Sequence, residues 1–297
     1  MLQWTHEVTH MLTNYELKLR ARTALKDNWP IALMVALIAA LPSLIHQVLS
    51  VLAMNSDGAA HAFNQILDAI NNSYVNMSRL EGALETLSGI FMPTMIVMLL
   101  SSLITPALTL GQLNYGMKLL RGDEDALIGT VFSRMNRFLR ALGLSLMIYL
   151  RTALWMLPGL AIEILAGVVL GLGGADLTWL FFILCYGGMI AMMVLGIRAA
   201  LHYSMATFAM AEEPSRGINQ CIRLSVSIMR RRKLLLFSLE LSFIGYFLVL
   251  ALVNTLLSAL LGNVLGSTVY MALSMALNVY VMVAECAFYQ AYRDQPL

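Results

Sequence analysis

Long stretches without a charged residue constrain this chain more than any other feature. No Asp, Glu, Lys or Arg occurs in residues 28–56, 86–117 or 177–197. Each run provides the about 20 residues that a helix needs to cross the hydrocarbon core of a bilayer. The longest run, residues 241–284, has room for two such helices joined by a turn at residues 262–267. The chain is therefore expected to span a membrane several times.

One further span is predicted at residues 141–173, where Arg151, Glu163 and the Leu157-Pro158-Gly159 break interrupt an apolar stretch. This segment is interpreted as one kinked span or as a re-entrant pair. Only 12% of the residues are charged, compared with about 25% in soluble domains, which excludes a soluble enzyme, a disordered chain and a typical nucleic-acid-binding protein. We predict an all-α, polytopic transmembrane helix bundle of about six spans that forms one integral membrane domain over residues 1–297.

The distribution of Lys and Arg predicts how the spans are oriented. Basic residues are concentrated before the first predicted span, between spans two and three, between spans four and five, and after span six. The intervening loops contain a single basic residue, Arg79. Because basic loops stay on the cytoplasmic side, both termini are expected to be cytoplasmic, with residues 1–29 and 212–233 as cytoplasmic amphipathic segments and residues 55–89 as an external loop.

Basic amphipathic patterns precede the spans. In the first, Leu17, Ala21 and Leu25 lie on one side of a predicted helix, with Lys18 and Arg22 among the basic residues on the other. Similar patterns occur near residues 128–140 and 216–230. Such helices are typical of the membrane interface, where anionic lipid headgroups attract the basic face. The alternative is that they are ordinary connectors with solvated charges.

The N-terminal sequence His6-Glu7-Val8-Thr9-His10 matches the zinc-binding pattern H-E-x-x-H. On a helix this pattern places two imidazoles on one face and a glutamate that can act as a general base. A catalytic zinc also requires a third protein ligand, and no third ligand follows at a recognised spacing. We therefore regard His6, Glu7 and His10 as weak metal candidates, favour a chance match, and expect neither a cofactor nor an enzymatic activity.

Polar residues at membrane depth are the stronger candidates for a functional site. Ionisable side chains inside a span are costly, so they are functional candidates by default. The alternative is that they form structural ion pairs or hydrogen bonds between packed helices. We expect Arg151 or Arg198 to pair with Glu240 or Glu285. The predicted intramembrane polar site comprises Arg151, Glu163, Arg198, His202, Glu240, Asn278 and Glu285.

Several short segments, in their order along the chain, resemble one bacterial family. They are Glu16-Leu17-Lys18, the return segment Gly111-Gln112-Leu113-Asn114-Tyr115-Gly116-Met117, Arg137-Phe138-Leu139-Arg140, Leu157-Pro158-Gly159, Tyr203-Ser204-Met205 and Glu240-Leu241-Ser242-Phe243. The sequence is similar to the integral membrane proteins of domain-of-unknown-function family 975 over about residues 15–292. The resemblance implies a multi-span protein of the bacterial cytoplasmic membrane and no particular activity. The first 13 residues extend beyond the usual start of the family.

These observations favour an uncharacterised, non-enzymatic membrane protein that organises lipid or a membrane partner complex. Its expected partners are the lipid bilayer and anionic headgroups at the cytoplasmic face, together with a homo-oligomer or another membrane protein, and no nucleic acid. The first alternative is a small-solute transporter or channel that uses the intramembrane Arg and Glu residues. The remote alternative is a zinc metalloprotease that uses His6, Glu7 and His10.

Overall fold

The computed structural model describes residues 13–71, 77–172 and 177–294, and within these ranges the chain forms helices and no β-strand. Connections between helices are short, as is typical of antiparallel helix neighbours. The helices are α1 (Asn14–Leu25), α2 (Trp29–Met54), α3 (Asp57–Asn71), α4 (Met77–Arg121), the 3-10 helix η1 (Ile128–Arg137), α5 (Phe138–Leu172), α6 (Thr178–Tyr203), α7 (Ala206–Glu212), α8 (Ile218–Met229), α9 (Lys233–Leu261) and α10 (Asn263–Tyr292).

Six helices within the described ranges are long and apolar enough to cross a membrane: α2, α4, α5, α6, α9 and α10. This confirms the predicted all-α bundle of six spans. The most extensive contacts join α2 with α4, α5 with α6, and α9 with α10. Helix α5 continues through Pro158 without a break, so residues 141–172 form one span and not a re-entrant pair. Residues 55–89, predicted to be a loop, contain helix α3 and the start of α4, which pack against each other, and α4 continues through the second span.

Four of the described helices that are too short to span, α1, η1, α7 and α8, gather at one end of the bundle. We call this the basic end, and it also includes the adjoining ends of the six spans. Helix α1 starts with a capping box, in which the Thr13 side chain accepts from the Glu16 backbone N–H and the Glu16 carboxylate accepts from the Thr13 N–H. Capping of this kind satisfies backbone donors that the first helical turn leaves free. We call the opposite end, with α3 and the turn at Gly262, the hairpin end.

Packing is concentrated at the basic end. In α9, Leu236 and Phe243 are at most 1% exposed, whereas Leu252, Leu256 and Leu260, farther along the helix, are 62–79% exposed. The same contrast holds in the other spans, where most large buried side chains lie in the half next to the basic end. Because lipid solvates apolar side chains as well as a protein interior does, exposed leucines carry no penalty in a membrane span.

Glycines allow two close helix contacts. A Cβ atom on Gly111 of α4 would collide with the Val131 carbonyl oxygen, so η1 packs directly on the α4 backbone. A Cβ on Gly159 of α5 would lie 2.9 Å from the Met192 nitrogen of α6. Small residues permit such approaches between membrane helices. At Gly167 and Gly171 of α5, by contrast, no described atom lies within 4 Å of an added Cβ, so these two glycines mark no close contact between described helices.

The amphipathic patterns of α1 and α8 correspond to helices with one covered face. Leu17 and Leu25 of α1 and Ile222 and Met229 of α8 are at most 1% exposed, and they pack within the bundle core. The apolar faces of these two helices are therefore covered by protein, and only their basic faces are free to meet lipid headgroups. In η1, by contrast, Phe132 remains 52% exposed.

Lys18 differs from the other basic residues of α1. It was expected on the solvated face, but its ammonium donates to the Ser242 carbonyl of α9 at 3.0 Å and lies 4.2 Å from the centre of the Phe243 ring. Burial lowers the pKa of Lys18 below its ordinary value. Lys18 thus attaches α1 to α9 through a hydrogen bond and a cation–π contact.

Candidate functional site: a membrane-depth carboxylate pocket

A cavity of about 400 Å³ lies between α4, α7, α9 and α10. We call it the carboxylate pocket, because both Glu240 of α9 and Glu285 of α10 line it. Although most of the spanning-helix surface in this chain is apolar, much of the remaining pocket wall is polar. The polar lining residues are Thr109 and Gln112 of α4, Ser204, Thr207 of α7, and Asn278 of α10.

The two glutamates reach this pocket because of their positions along their helices. Glu240 comes seven residues after Lys233, the first residue of α9, and Glu285 comes seven residues before Tyr292, the last residue of α10. At 1.5 Å per residue, both lie roughly 10 Å from the basic end of their helix. The helices are antiparallel, so equal distances from this end bring the two carboxylates to the same level.

Neither carboxylate has the partner that the sequence suggested. Among residues 13–71, 77–172 and 177–294, no hydrogen bond or ion pair involves Glu240 or Glu285. The expected pairing with Arg151 or Arg198 is therefore wrong, since both arginines contact other elements. Instead the two carboxylates line the same pocket, where like charges at short range repel.

Two larger grooves adjoin the carboxylate pocket. The amide groove, about 920 Å³ between α2, α9 and α10, shares Gln112 and Asn278 with the pocket and is also lined by Gln47 and Asn254. The hydroxyl groove, about 660 Å³ between α2, α4 and α5, shares Thr109 and Thr207 with the pocket and is also lined by Ser43, Ser101, Ser102, Thr105 and Ser145. The three cavities are therefore adjacent and share polar lining residues.

Most hydroxyls in this series have local partners. Thr105 donates to the Ser101 carbonyl at 2.7 Å, and Thr109 donates to the Thr105 carbonyl at 2.9 Å. Such bonds to the preceding helical turn satisfy a buried hydroxyl without a neighbouring helix. Asn278 likewise donates to the Ser274 carbonyl at 2.9 Å. Gln112 and the two glutamates have no such bond to a described residue, so they are the groups that can bind something else.

Three of the predicted site residues lie at a different contact, where α5, α6 and α8 meet. Arg151 donates to the Asn219 side chain of α8 at 3.2 Å. The Arg198 guanidinium lies 5.6 Å from the centre of a Trp155 ring, and the His202 ring centroid is 6.2 Å from that of Trp155. None of the three lines the carboxylate pocket.

Glu163 is separate from both groups. Its carboxylate lies against Gly188 of α6, where an added Cβ would approach Oε1 to 2.7 Å. It does not line any of the three cavities. The seven predicted residues thus divide into the pocket residues Glu240, Asn278 and Glu285, the α5–α6–α8 residues Arg151, Arg198 and His202, and Glu163 within the α5–α6 pair.

An acidic centre at the basic end was not predicted. Glu212, the last residue of α7, pairs with Arg121 at 2.6 Å and with Arg293, and it accepts a hydrogen bond from the Tyr289 hydroxyl at 2.9 Å. It thereby joins the ends of α4, α7 and α10. The sequence signal that could have identified Glu212 is an acidic residue that follows an apolar helix in an otherwise basic region.

The H-E-x-x-H match at His6, Glu7 and His10 lies outside the described residues. Within residues 13–71, 77–172 and 177–294, no group of three or more His, Cys, Asp or Glu side chains is arranged to hold a metal ion.

Comparison with known families agrees with the arrangement of spans. The family model described as "Protein of unknown function (DUF975)" matches residues 11–295, nearly the whole chain. The chain belongs to the DUF975 family. This match confirms the resemblance inferred from the short segments, and it begins after His10, so the H-E-x-x-H pattern is not part of the matched region. No curated protein and no solved structure matches the chain.

Proposed function

We propose that this DUF975 protein organises lipid, or a complex of membrane proteins, without catalysing a reaction. The observation that carries the proposal is a set of exposed basic residues on helices that are anchored in the bundle. Arg20, Arg22 and Lys26 extend from α1, and Arg223 and Arg230 from α8, and all are exposed. Their helices cannot rotate away, because the opposite faces are buried. Fixed cations at a membrane surface attract anionic headgroups, by about 1 kcal/mol per residue.

We also propose that the basic end faces the cytoplasm of a bacterium. The support is the enrichment of Lys and Arg in the segments at that end, which determines the orientation of multi-span proteins. The same basic residues attract anionic lipid headgroups. One charge distribution therefore accounts for both the proposed orientation in the membrane and the proposed lipid preference.

Neutralising α1 is expected to weaken the preference for anionic lipid. The variant Arg20→Gln/Arg22→Gln/Lys26→Gln removes three exposed charges and leaves the buried face of α1 intact. We expect it to bind anionic lipid about 10-fold or more weakly than the unaltered chain, since three interactions of about 1 kcal/mol are lost. The measurement is the retention of phosphatidylglycerol over phosphatidylcholine by the purified protein, quantified by mass spectrometry.

The matched control neutralises acidic residues on the same short segment, as Glu16→Gln/Asp27→Gln, which changes charge with the opposite sign. Equal retention of phosphatidylglycerol by the two variants and the unaltered chain would refute the lipid proposal. A reporter fused after Tyr292 gives a second readout, because loss of basic residues should leave some molecules inverted.

A second candidate function is passage of small ions or solutes. The observation that favours it is the set of three adjacent cavities with shared polar lining residues. Ionisable groups that line cavities in a span are typical of ion and proton pathways. Glu285→Gln is expected to reduce the proton flux into proteoliposomes, driven by a potassium diffusion potential, to the rate of empty liposomes. Glu163→Gln, which also removes a membrane-depth carboxylate but lines no cavity, should keep the flux. Equal flux in both variants would end this candidate.

A further inference from the structure

Two acidic side chains of the carboxylate pocket have no basic partner. No described Lys, Arg or His lines the pocket, and neither Glu240 nor Glu285 is bonded to a described residue. Both glutamates are partly buried, and both contribute to the pocket wall. A carboxyl group that is removed from water either keeps its proton or is compensated by a cation or by hydrogen-bond donors. A cation that enters this pocket would meet two carboxyl groups that no described residue neutralises.

The other wall groups suit an ammonium group. An ammonium has three N–H donors and no acceptor. The side-chain oxygens of Gln112 and Asn278 can accept from it along with the two carboxylates. The pocket also includes Phe208 and Met282, which are compatible with the methylene groups next to an amine. The pocket oxygens also suit a hard metal cation, but the apolar surface of Phe208 and Met282 has no role for a metal ion and favours an organic cation.

The shape of the adjoining amide groove indicates what is attached to the amine. The groove is more than twice as large as the pocket, and Gln112 and Asn278 line both of them. Its outer wall includes Val48, Val51 and Leu52, which are 53–63% exposed on the surface of the spans. In a bilayer these residues meet lipid chains. A hydrocarbon chain can therefore enter the groove sideways from the membrane while its polar group reaches the glutamates.

We propose that this cavity binds an amphipathic amine, with its ammonium group between Glu240 and Glu285 and its hydrocarbon chain in the amide groove. The proposal goes beyond the lipid interaction proposed above, which concerns anionic headgroups at exposed basic residues. It also does not require that ions or solutes pass through the protein. The lipid and passage proposals could both hold if amine binding failed, and amine binding could hold if both of them failed.

The test is a binding titration with three probes of matched structure, using the full chain in phosphatidylcholine nanodiscs. Decylamine has the head and the chain, decanol has the chain alone, and propylamine has the head with a short chain. Decylamine is expected to bind at least 10-fold more tightly than either of the others. The binding signal is the shift of the thermal denaturation midpoint, because a ligand that binds the folded state raises it.

Variants distinguish binding of decylamine in the pocket from its partition into the surrounding bilayer. Decylamine partitions equally into discs that hold different variants, so a difference between variants reports the pocket. Glu240→Gln and Glu285→Gln should each weaken decylamine binding at least 10-fold, whereas Glu163→Gln should bind as the unaltered chain does. Ala40→Phe, which fills the amide groove, should weaken decylamine but not propylamine. Denaturation without ligand identifies any variant that fails to fold, and the remaining variants then decide.

Each alternative has a distinct result that would overturn the proposal. Propylamine binding as tightly as decylamine would assign the pocket to soluble amines. If decanol bound as tightly as decylamine, the carboxylates would not recognise the ammonium group. A midpoint raised by NaCl alone, and lost in Glu285→Gln, would assign the pocket to a metal cation. Unchanged decylamine binding in both glutamine variants would place the amine elsewhere.

Discussion

Gly111→Ala is expected to lower the thermal denaturation midpoint of the purified protein by about 5–10 °C. The added Cβ would collide with the Val131 carbonyl oxygen and lie 2.8 Å from the Val131 Cα, where real Cβ contacts are essentially never below 3.0 Å. A side chain could rotate away, but these are backbone atoms, so the whole of η1 must move. Overpacking typically costs about 1–3 kcal/mol, and a backbone clash belongs at the upper end.

Gly167→Ala is the matched control, because Gly167 also lies within a spanning helix and no described atom is within 4 Å of its Cβ position. Alanine is about 1 kcal/mol more favourable than glycine within a helix. This control should therefore keep or raise the denaturation midpoint in the same detergent. If the two variants had the same midpoint, the close contact between α4 and η1 would be refuted.

Glu212→Gln is expected to produce the second largest loss of stability, about 4–8 °C in the denaturation midpoint. The substitution keeps an acceptor for the Tyr289 hydroxyl but leaves Arg121 and Arg293 without their carboxylate. Removing one partner of a buried ion pair costs about 3–5 kcal/mol. Because the Arg121 side chain is 41% exposed, water compensates part of this cost, and about 2 kcal/mol is expected.

The adjacent Glu213 provides the control. Its side chain is 53% exposed, pairs with Arg216 and accepts a hydrogen bond from the Ser215 hydroxyl. Because these contacts are exposed, Glu213→Gln should change the midpoint by less than about 2 °C. In addition, Arg293→Gln should cost little once Glu212→Gln is present, since residues that share an interaction are not additive. Additive losses in the double variant would mean that Glu212 and Arg293 act independently.

The spans and the polar segments were predictable because their signals are local. A helix in a membrane must satisfy its own backbone hydrogen bonds, so charge-free runs of sufficient length identify it without knowledge of its neighbours. The amphipathic faces of α1 and α8 were also readable, since Leu17 and Ile222 occur at helical spacing with apolar residues that are buried together.

The residues that line the pocket were only partly predictable, because the lining depends on how each helix is rotated about its axis. Sequence position gave the depth of Glu240 and Glu285 and thus their common level. It did not reveal that Arg198 turns toward Trp155 or that Arg151 reaches Asn219. Small rotations exchange such partners without altering any helix boundary. Similarly, Gly111 is one of several helical glycines, and only the docking of η1 distinguishes it from Gly167.

The concentration of packing at the basic end has a consequence for how the family diverges. Toward the hairpin end, side chains such as Leu252, Leu256 and Leu260 are mostly exposed, so the described neighbours do not enclose their shape. Exchange among Leu, Ile, Val, Met and Phe there preserves partition into lipid and disturbs no fitted contact. At Leu236, Phe243 and Gly111, volume is specified to within a methyl group. Selection in this family is therefore expected to preserve side-chain volume at one end of the molecule and mere hydrophobicity at the other.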